Sequence, residues 1–200
     1  MTHAYHVIGK PTPLIDGPEK AAGRARYVAD LRLPGMLHGK ILRSPVAHAR
    51  IRSIDTQAAL RLPGVKAVLT GEDIPQVRWG FEVKDQTALA IGKVRFIGEE
   101  VAAVAAVDEA AALDALEQIR VDYDPLPAVF SSEESLQPGA PVIHKDHPDN
   151  CSYRFEVSYG DVEGGLAKAA AVHEETYDTS LQYQGYTEPI GSLAERDPSG

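Results

Sequence analysis

The stretch Lys93 to Pro127, KVRFIGEEVAAVAAVDEAAALDALEQIRVDYDPLP, decides the fold. Val101 to Val107 is an uninterrupted run of small and β-branched apolar residues between Glu100 and Asp108. That run is far too short for a membrane span and predicts a central strand covered on both faces. Asp108 suits a helix N-cap and Glu109 puts negative charge at the favoured end of the dipole. Ala112, Leu113, Leu116 and Ile119 then share one face of a helix of about three turns. Beyond it, Ile119, Val121 and Tyr123 alternate with Arg120, Asp122 and Asp124, the period of a half-buried strand, until Pro125 and Pro127 end it. Strand, helix and strand in this order predict a right-handed crossover to a parallel neighbour.

Working outward toward the N-terminus, residues 1–19 are rich in Pro and Gly and predict an extended arm. Short strands are expected at Ala25 to Ala29 and Gly39 to Arg43, with the turn Leu33-Pro34-Gly35 between them. His48 to Ile54 alternates with Ala49, Ile51 and Ser53 on one side. Asp55 opens a helix over Thr56 to Leu62, and Pro63-Gly64 stops it. Val65 to Leu69 is a further strand, and Thr70 caps the turn GEDIP. Residues 71–90, with Trp79 and Phe81, carry no pattern and read as a loop. The mixture of strands and helices gives an α+β class.

Toward the C-terminus, residues 131–150 shift to Ser, Glu, Pro, Gly and His and read as a linker. A second pattern follows over 151–200: a strand from Tyr153 to Tyr159, a short helix from Val162 to Ala170, and strands at Val172 to Leu181 and Ser192 to Glu195. The turn Asp197-Pro198-Ser199-Gly200 would leave an open sheet edge, so these residues are expected to begin a second, incomplete domain.

Composition excludes several functions. The net charge of −9, with no cluster of Lys and Arg, argues against a nucleic-acid surface. Cys151 is the single cysteine, so neither an internal disulfide nor a four-thiolate iron–sulfur cluster can form on this chain. No signal-peptide core, twin arginine or long apolar span is seen, which predicts a cytoplasmic chain.

Chemistry-bearing groups are few. His144, His147 and Cys151 lie within eight residues and supply zinc ligand types, but their spacing fits no common zinc module and the plainer reading is a solvated proline loop. Asp122 and Asp124 share a strand face and could split their pKa values for acid–base work; the plainer reading is a polar face entering a turn. Residues 160–165, GDVEGG, lack the spacing of a phosphate loop. No nucleophile elbow or cysteine–histidine arrangement is present. The cluster of residues 182–189, QYQGYTEP, is dense in hydrogen-bonding groups that are costly to bury unpaired. Gln182, Tyr186 and Glu188 are its candidates for a substrate channel or for the layer supporting one.

The chain resembles the molybdenum-binding large subunit of the xanthine dehydrogenase and aldehyde oxidase family, the molybdenum hydroxylases. The residues that carry the resemblance are Asp16-Gly17, Gly23-Arg24-Ala25-Arg26-Tyr27, Leu33-Pro34-Gly35-Met36-Leu37 and Arg43-Ser44-Pro45. It continues through Val94-Arg95-Phe96-Ile97-Gly98-Glu99-Glu100-Val101-Ala102-Ala103-Val104 and Val121-Asp122-Tyr123-Asp124-Pro125-Leu126-Pro127-Ala128. The resemblance implies an α/β hammerhead domain over residues 20–130, with a mixed sheet and packed helices, and the start of a molybdenum-cofactor domain over 151–200. Tyr186-Thr187-Glu188-Pro189 is similar to the family's early Glu-Pro element. The family's cofactor-side glutamine, its Gly-Gly-Gly-Phe-Gly loop and its late catalytic glutamate follow this region, so no catalytic, cofactor-binding or metal residue is assigned here. Residues Asp146 to Val162 resemble the 4-hydroxybenzoyl-CoA reductase branch; xanthine, nicotinate, isoquinoline and carbon monoxide dehydrogenases stay open.

The implied activity is hydroxylation with water as the oxygen source, or reductive dehydroxylation in the aroyl-CoA branch. Molybdopterin, as the cytosine dinucleotide, would carry molybdenum, with [2Fe–2S] clusters and FAD on partner subunits in a dimer of heterotrimers. The implied substrates are aromatic, N-heterocyclic, aldehyde or aroyl-CoA compounds. An alternative of another class is a freestanding hammerhead-fold binding or assembly module without catalysis.

Overall fold

A computed structural model describes residues 7–196. They fall into two units: residues 35–172, and residues 7–34 with 173–196.

The first unit holds six strands, β1 (His38–Arg43), β2 (Ala49–Asp55), β3 (Val65–Thr70), β4 (Lys93–Val94), β5 (Glu100–Ala106) and β6 (Arg120–Pro125). Its helices are α2 (Gln57–Leu60), α3 (Glu109–Glu117), α4 (Ser132–Ser135) and α5 (Val162–Lys168), α1 (Gly17–Ala21) belonging to the other unit. β5 is the middle strand of one sheet, ordered β1-β5-β3; the other is ordered β4-β2-β6. All pairings are antiparallel. The α+β expectation holds, while the parallel crossover does not. Both edges of β5 are hydrogen-bonded, His38 to Ala106 on one side and Val65 to Ala106 on the other. The strand after α3 must satisfy its backbone elsewhere, and it pairs with β2.

α3 forms as its cap predicts, Ala111 N donating to Asp108 Oδ1 at 2.8 Å. Its buried residues are Ala112 and Ala115. Leu113 is 46% exposed, a departure from the expected stripe, because two methyl-sized side chains let the helix lie close on β5. Ala112, Ala115 and Ile119 pack with Ala102, Val104, Ala106, Val68 and Ala59. A second core gathers Ala49, Ala90, Val94 and Val101. Ile54 and Val121 touch both clusters and join them. Val101 is thus covered on the face away from α3, whereas Ala103 and Ala105 are only half-buried.

An irregularity in the β2–β6 register between Ile51 and Ser53 turns Ile54 inward and leaves Ser53 exposed, overturning the strict alternation expected there. At the ends of these strands His48, 5% exposed, sets its Nδ1 2.5 Å from the Pro127 carbonyl. Leu126 N donates to the His48 carbonyl at 2.8 Å.

Other expectations are corrected. Ala25 to Ala29 is no strand; a single 3-10 turn spans Val28–Asp30, held by Tyr27 N donating to Asp30. The expected arm over 1–19 is helical at its end, where α1 begins at Gly17 and its Lys20 pairs with Asp16 at 2.6 Å, and residues 1–6 of it lie outside the described residues. No strand forms at 153–159, 172–181 or 192–195 among the described residues. Tyr153, Phe155, Val157 and Tyr159 are exposed, and an extended segment with no neighbour to complete its ladder is not a strand. The short helix after Asp161 does form, Gly164 N donating to its carboxylate at 2.9 Å. The terminal turn over 197–200 lies outside the described residues.

Candidate functional site

The polar side chains of the larger unit converge where the loop over 71–92, the turn after β4 and the loop over 131–150 meet. Thr70 starts the first loop as its sequence predicts, its N and Oγ1 both donating to Asp73 Oδ2 at 2.8 Å. Gly80 has φ +152°, and a Cβ there would collide with the Val83 carbonyl, so only glycine lets the chain fold back. Trp79 and Gln86 consequently exchange backbone hydrogen bonds of 3.0 and 3.1 Å.

The turn after β4 is built by charge. Arg95 N donates to Glu99 Oε2, Gly98 N donates to the Ser44 carbonyl at 2.8 Å, and Arg43 Nη1 reaches the Gly98 carbonyl and Glu100 Oε1 at 2.7 and 2.6 Å. Burial pushes the Glu99 carboxyl up, against the backbone N–H and guanidinium of Arg95, which favour its charged form.

The loop over 131–150 is no free linker. Asn150 sits at φ 55°, in the left-handed region asparagine tolerates. Its Oδ1 accepts from Ile143 N at 3.1 Å, and its Nδ2 donates to the carbonyls of Ser135 and Pro141 at 3.0 and 2.9 Å. Lys93 Nζ donates to the Ile143 carbonyl at 3.1 Å, and His144 Nε2 lies 3.2 Å from Asp85 Oδ2. Burial, then the Arg95 charge, lowers the His144 pKa, with Asp85 opposing them. The shift favours the neutral imidazole. Lys93 is lowered too, by burial first and by Arg95 and Arg50 next.

Two adjoining cavities open here. One of about 460 Å³ is lined by Trp79, Asp85, Arg95, Phe96, Glu99 and His144 among others. The next, about 330 Å³, shares Asp85 and His144 and adds Phe81, His147 and Asn150. Both volumes suit a small ligand.

The residues singled out from sequence are distributed differently. His144 and His147 line the second cavity together, while the Cys151 thiol donates to the Tyr153 carbonyl at 3.5 Å. No group of three His, Cys, Asp or Glu that could hold a metal exists among the described residues, and one cysteine cannot hold an iron–sulfur cluster. The described side chains thus form no seat for either group. Asp124 faces Arg52 and Arg50 at 3.2 and 3.9 Å, an exposed ion-pair face, and not a carboxylate dyad with Asp122. In the other unit Gln182, Tyr186 and Glu188 are exposed, and Gln182 Nε2 donates to Ser180 Oγ at 2.9 Å. Sequence reasoning did not single out Arg95, Glu99, Asp85 or Lys93 as site residues. Three charges within residues 95–100, beside a buried strand, were the available signal.

Comparison with known proteins accounts for the architecture. Residues 22–127 match the model of "Aldehyde oxidase and xanthine dehydrogenase, a/b hammerhead domain". The chain is 41% identical over 196 residues to a probable xanthine dehydrogenase subunit of Bacillus subtilis, covering 97% of this chain and 26% of that protein. It is 36% identical to the nicotinate dehydrogenase large molybdopterin subunit of Eubacterium barkeri, over 100% of this chain and 47% of that one. Among solved structures, the carbon monoxide dehydrogenase of Oligotropha carboxidovorans superposes with a TM-score of 0.64 and 42% identity, over 69% of this chain and 18% of that chain. The chain therefore spans between about a quarter and about half the length of these curated relatives. A family model over more than half of the residues, with the same backbone in a solved relative, makes the conclusion plain: the chain belongs to the aldehyde oxidase and xanthine dehydrogenase family, and residues 22–127 match its a/b hammerhead domain.

Proposed function

We propose that this chain is the N-terminal part of the large subunit of a molybdenum-dependent hydroxylase acting on an aromatic, N-heterocyclic, aldehyde or aroyl-CoA substrate. Alignment of nearly the whole chain with a xanthine dehydrogenase subunit and a nicotinate dehydrogenase large molybdopterin subunit carries this reading. Residues 20–130 would be the hammerhead proper, 131–150 the connection, and 151–200 the opening of the cofactor domain. Molybdopterin, as the cytosine dinucleotide, would be gripped by the remainder of the subunit. Gln182, Tyr186 and Glu188 would line or support the approach to it.

In the hydroxylating direction the reaction converts a C–H bond and water into a C–OH bond, two protons and two electrons; dehydroxylation in the aroyl-CoA branch is the reverse. The electrons require an acceptor chain, and [2Fe–2S] and FAD partner subunits in a cytoplasmic dimer of heterotrimers would provide it. What this chain contributes is shape: a double core with α3 and the loops fixed on it. Turnover of the native complex in ¹⁸O-water is the test. Label in the product supports the reading, and product oxygen derived from O2 contradicts it.

A further inference from the structure

The cavity of about 460 Å³ combines two aromatic walls with a cation whose hydrogen bonds the fold leaves unmade. The Arg95 side chain is 23% exposed, and its nearest carboxylate contact is Nη1 to Glu99 Oε1 at 3.8 Å, beyond hydrogen-bond reach. Its Nε is buried and has no partner among the described residues. Two of the acids around it are already hydrogen-bonded. Glu99 Oε2 accepts from the Arg95 backbone N–H, Glu100 Oε1 accepts from Arg43 at 2.6 Å, and Asp85 Oδ2 lies 3.2 Å from His144 Nε2. An entering acceptor thus meets one guanidinium with unused donors. Burial makes that shortfall costly, and a carboxylate matches the planar fork best.

Trp79 and Phe96 are 44% and 55% exposed and line the same cavity. Trp79 is held in place by its paired backbone bonds to Gln86. Flat apolar faces beside an Arg favour a flat ring that carries an acid, since stacking and the fork are then satisfied together. The three acidic walls disfavour a second negative charge.

We propose that this cavity binds a small planar aromatic monocarboxylate, its carboxylate held by Arg95 and its ring laid against Trp79 and Phe96. Nothing in the family assignment requires the site, so it stands or falls apart from the hydroxylase reading.

The chain has a single tryptophan, which makes Trp79 a direct reporter. Benzoate is titrated into the 200-residue chain while Trp79 emission and the ¹H–¹⁵N spectrum are recorded. The expected result is saturable quenching, with shifts at the Trp79 indole N–H and at the amides of Arg95 and Phe96. Acetate, which lacks the ring, and benzamide, which lacks the charge, should each bind roughly tenfold more weakly or worse. Arg95→Gln should abolish saturation without moving the emission maximum. If that variant misfolds, the wild-type shifts and the benzoate, acetate and benzamide ranking decide the matter. A linear response to benzoate, equal binding of acetate or benzamide, or shifts confined to other residues would overturn the proposal.

Discussion

The His48 imidazole and the Pro127 carbonyl, 79 residues apart in sequence, meet at 2.5 Å and tie the start of β2 to the exit from β6. Because a carbonyl can only accept, Nδ1 carries the proton, and the buried Nε2 is left without a partner among the described residues. Burial, then the backbone bond in the opposite sense, then Lys93 and Arg95 set its pKa, which ends below the ordinary 6.5. The folded chain therefore binds this proton less readily than the unfolded chain. Stability is complete above about pH 6.5 and declines as the pH falls through that value toward the lower folded pKa. His144, lowered by burial and Arg95, contributes in the same sense. Urea midpoints measured across that range should show the decline, and His48→Gln should make it shallower. An unchanged slope in that variant would assign the effect to other groups.

Glu99 acts in the opposite direction. Its folded pKa is raised above 4.5, so the unfolded state releases its proton first and stability falls as the pH rises from about 4.5 through the folded value. Glu99→Gln keeps an acceptor for the Arg95 backbone N–H and removes that charge. Its stability should depend less on pH over that interval, as followed by urea midpoints.

The helix α3 contact predicts an inversion of the usual size rule. Ala115 is fully buried, so Ala115→Leu should overpack the interface and cost about 1–3 kcal/mol. Leu113→Ala removes a larger but half-exposed side chain and should cost less than that. Asp108→Ala, which deletes the cap, should cost about 1 kcal/mol. Chemical denaturation of the three variants checks the order.

Asn150 is the fastening of the loop over 131–150. Asn150→Ala loses three hydrogen bonds and leaves at φ 55° a residue without asparagine's tolerance of the left-handed region, for an expected loss of about 2–3 kcal/mol. Asn150→Gly relieves only the backbone conformation. Amide exchange at Ile143 should quicken in both, more in the alanine variant.

Local rules proved sufficient where one segment settles its own structure. The Asp108 cap, the Thr70–Asp73 turn and the buried run of β5 were all legible from residue types within a few positions. Partner choice was not. Whether β6 runs beside β5 depends on β1 and β3 already occupying both edges of that strand, a fact no window of sequence contains. The exposed alternation at 153–159 failed for a related reason, since period two states a tendency to pair but supplies no partner. The cavity depended on three distant segments meeting. Lys93 holding Ile143 and Asp85 meeting His144 are contacts across 50 and 59 residues, beyond the reach of spacing arguments.

Under the proposed function this hammerhead would serve a molybdenum enzyme whose metal is gripped outside these 200 residues. Metal analysis tests it most directly, on the native complex containing this chain isolated from molybdate-replete cells and on the 200-residue chain expressed in the same medium. One molybdenum per copy is expected in the complex and none in the chain alone. A complex free of molybdenum, or a chain that retains the metal unaided, would contradict it.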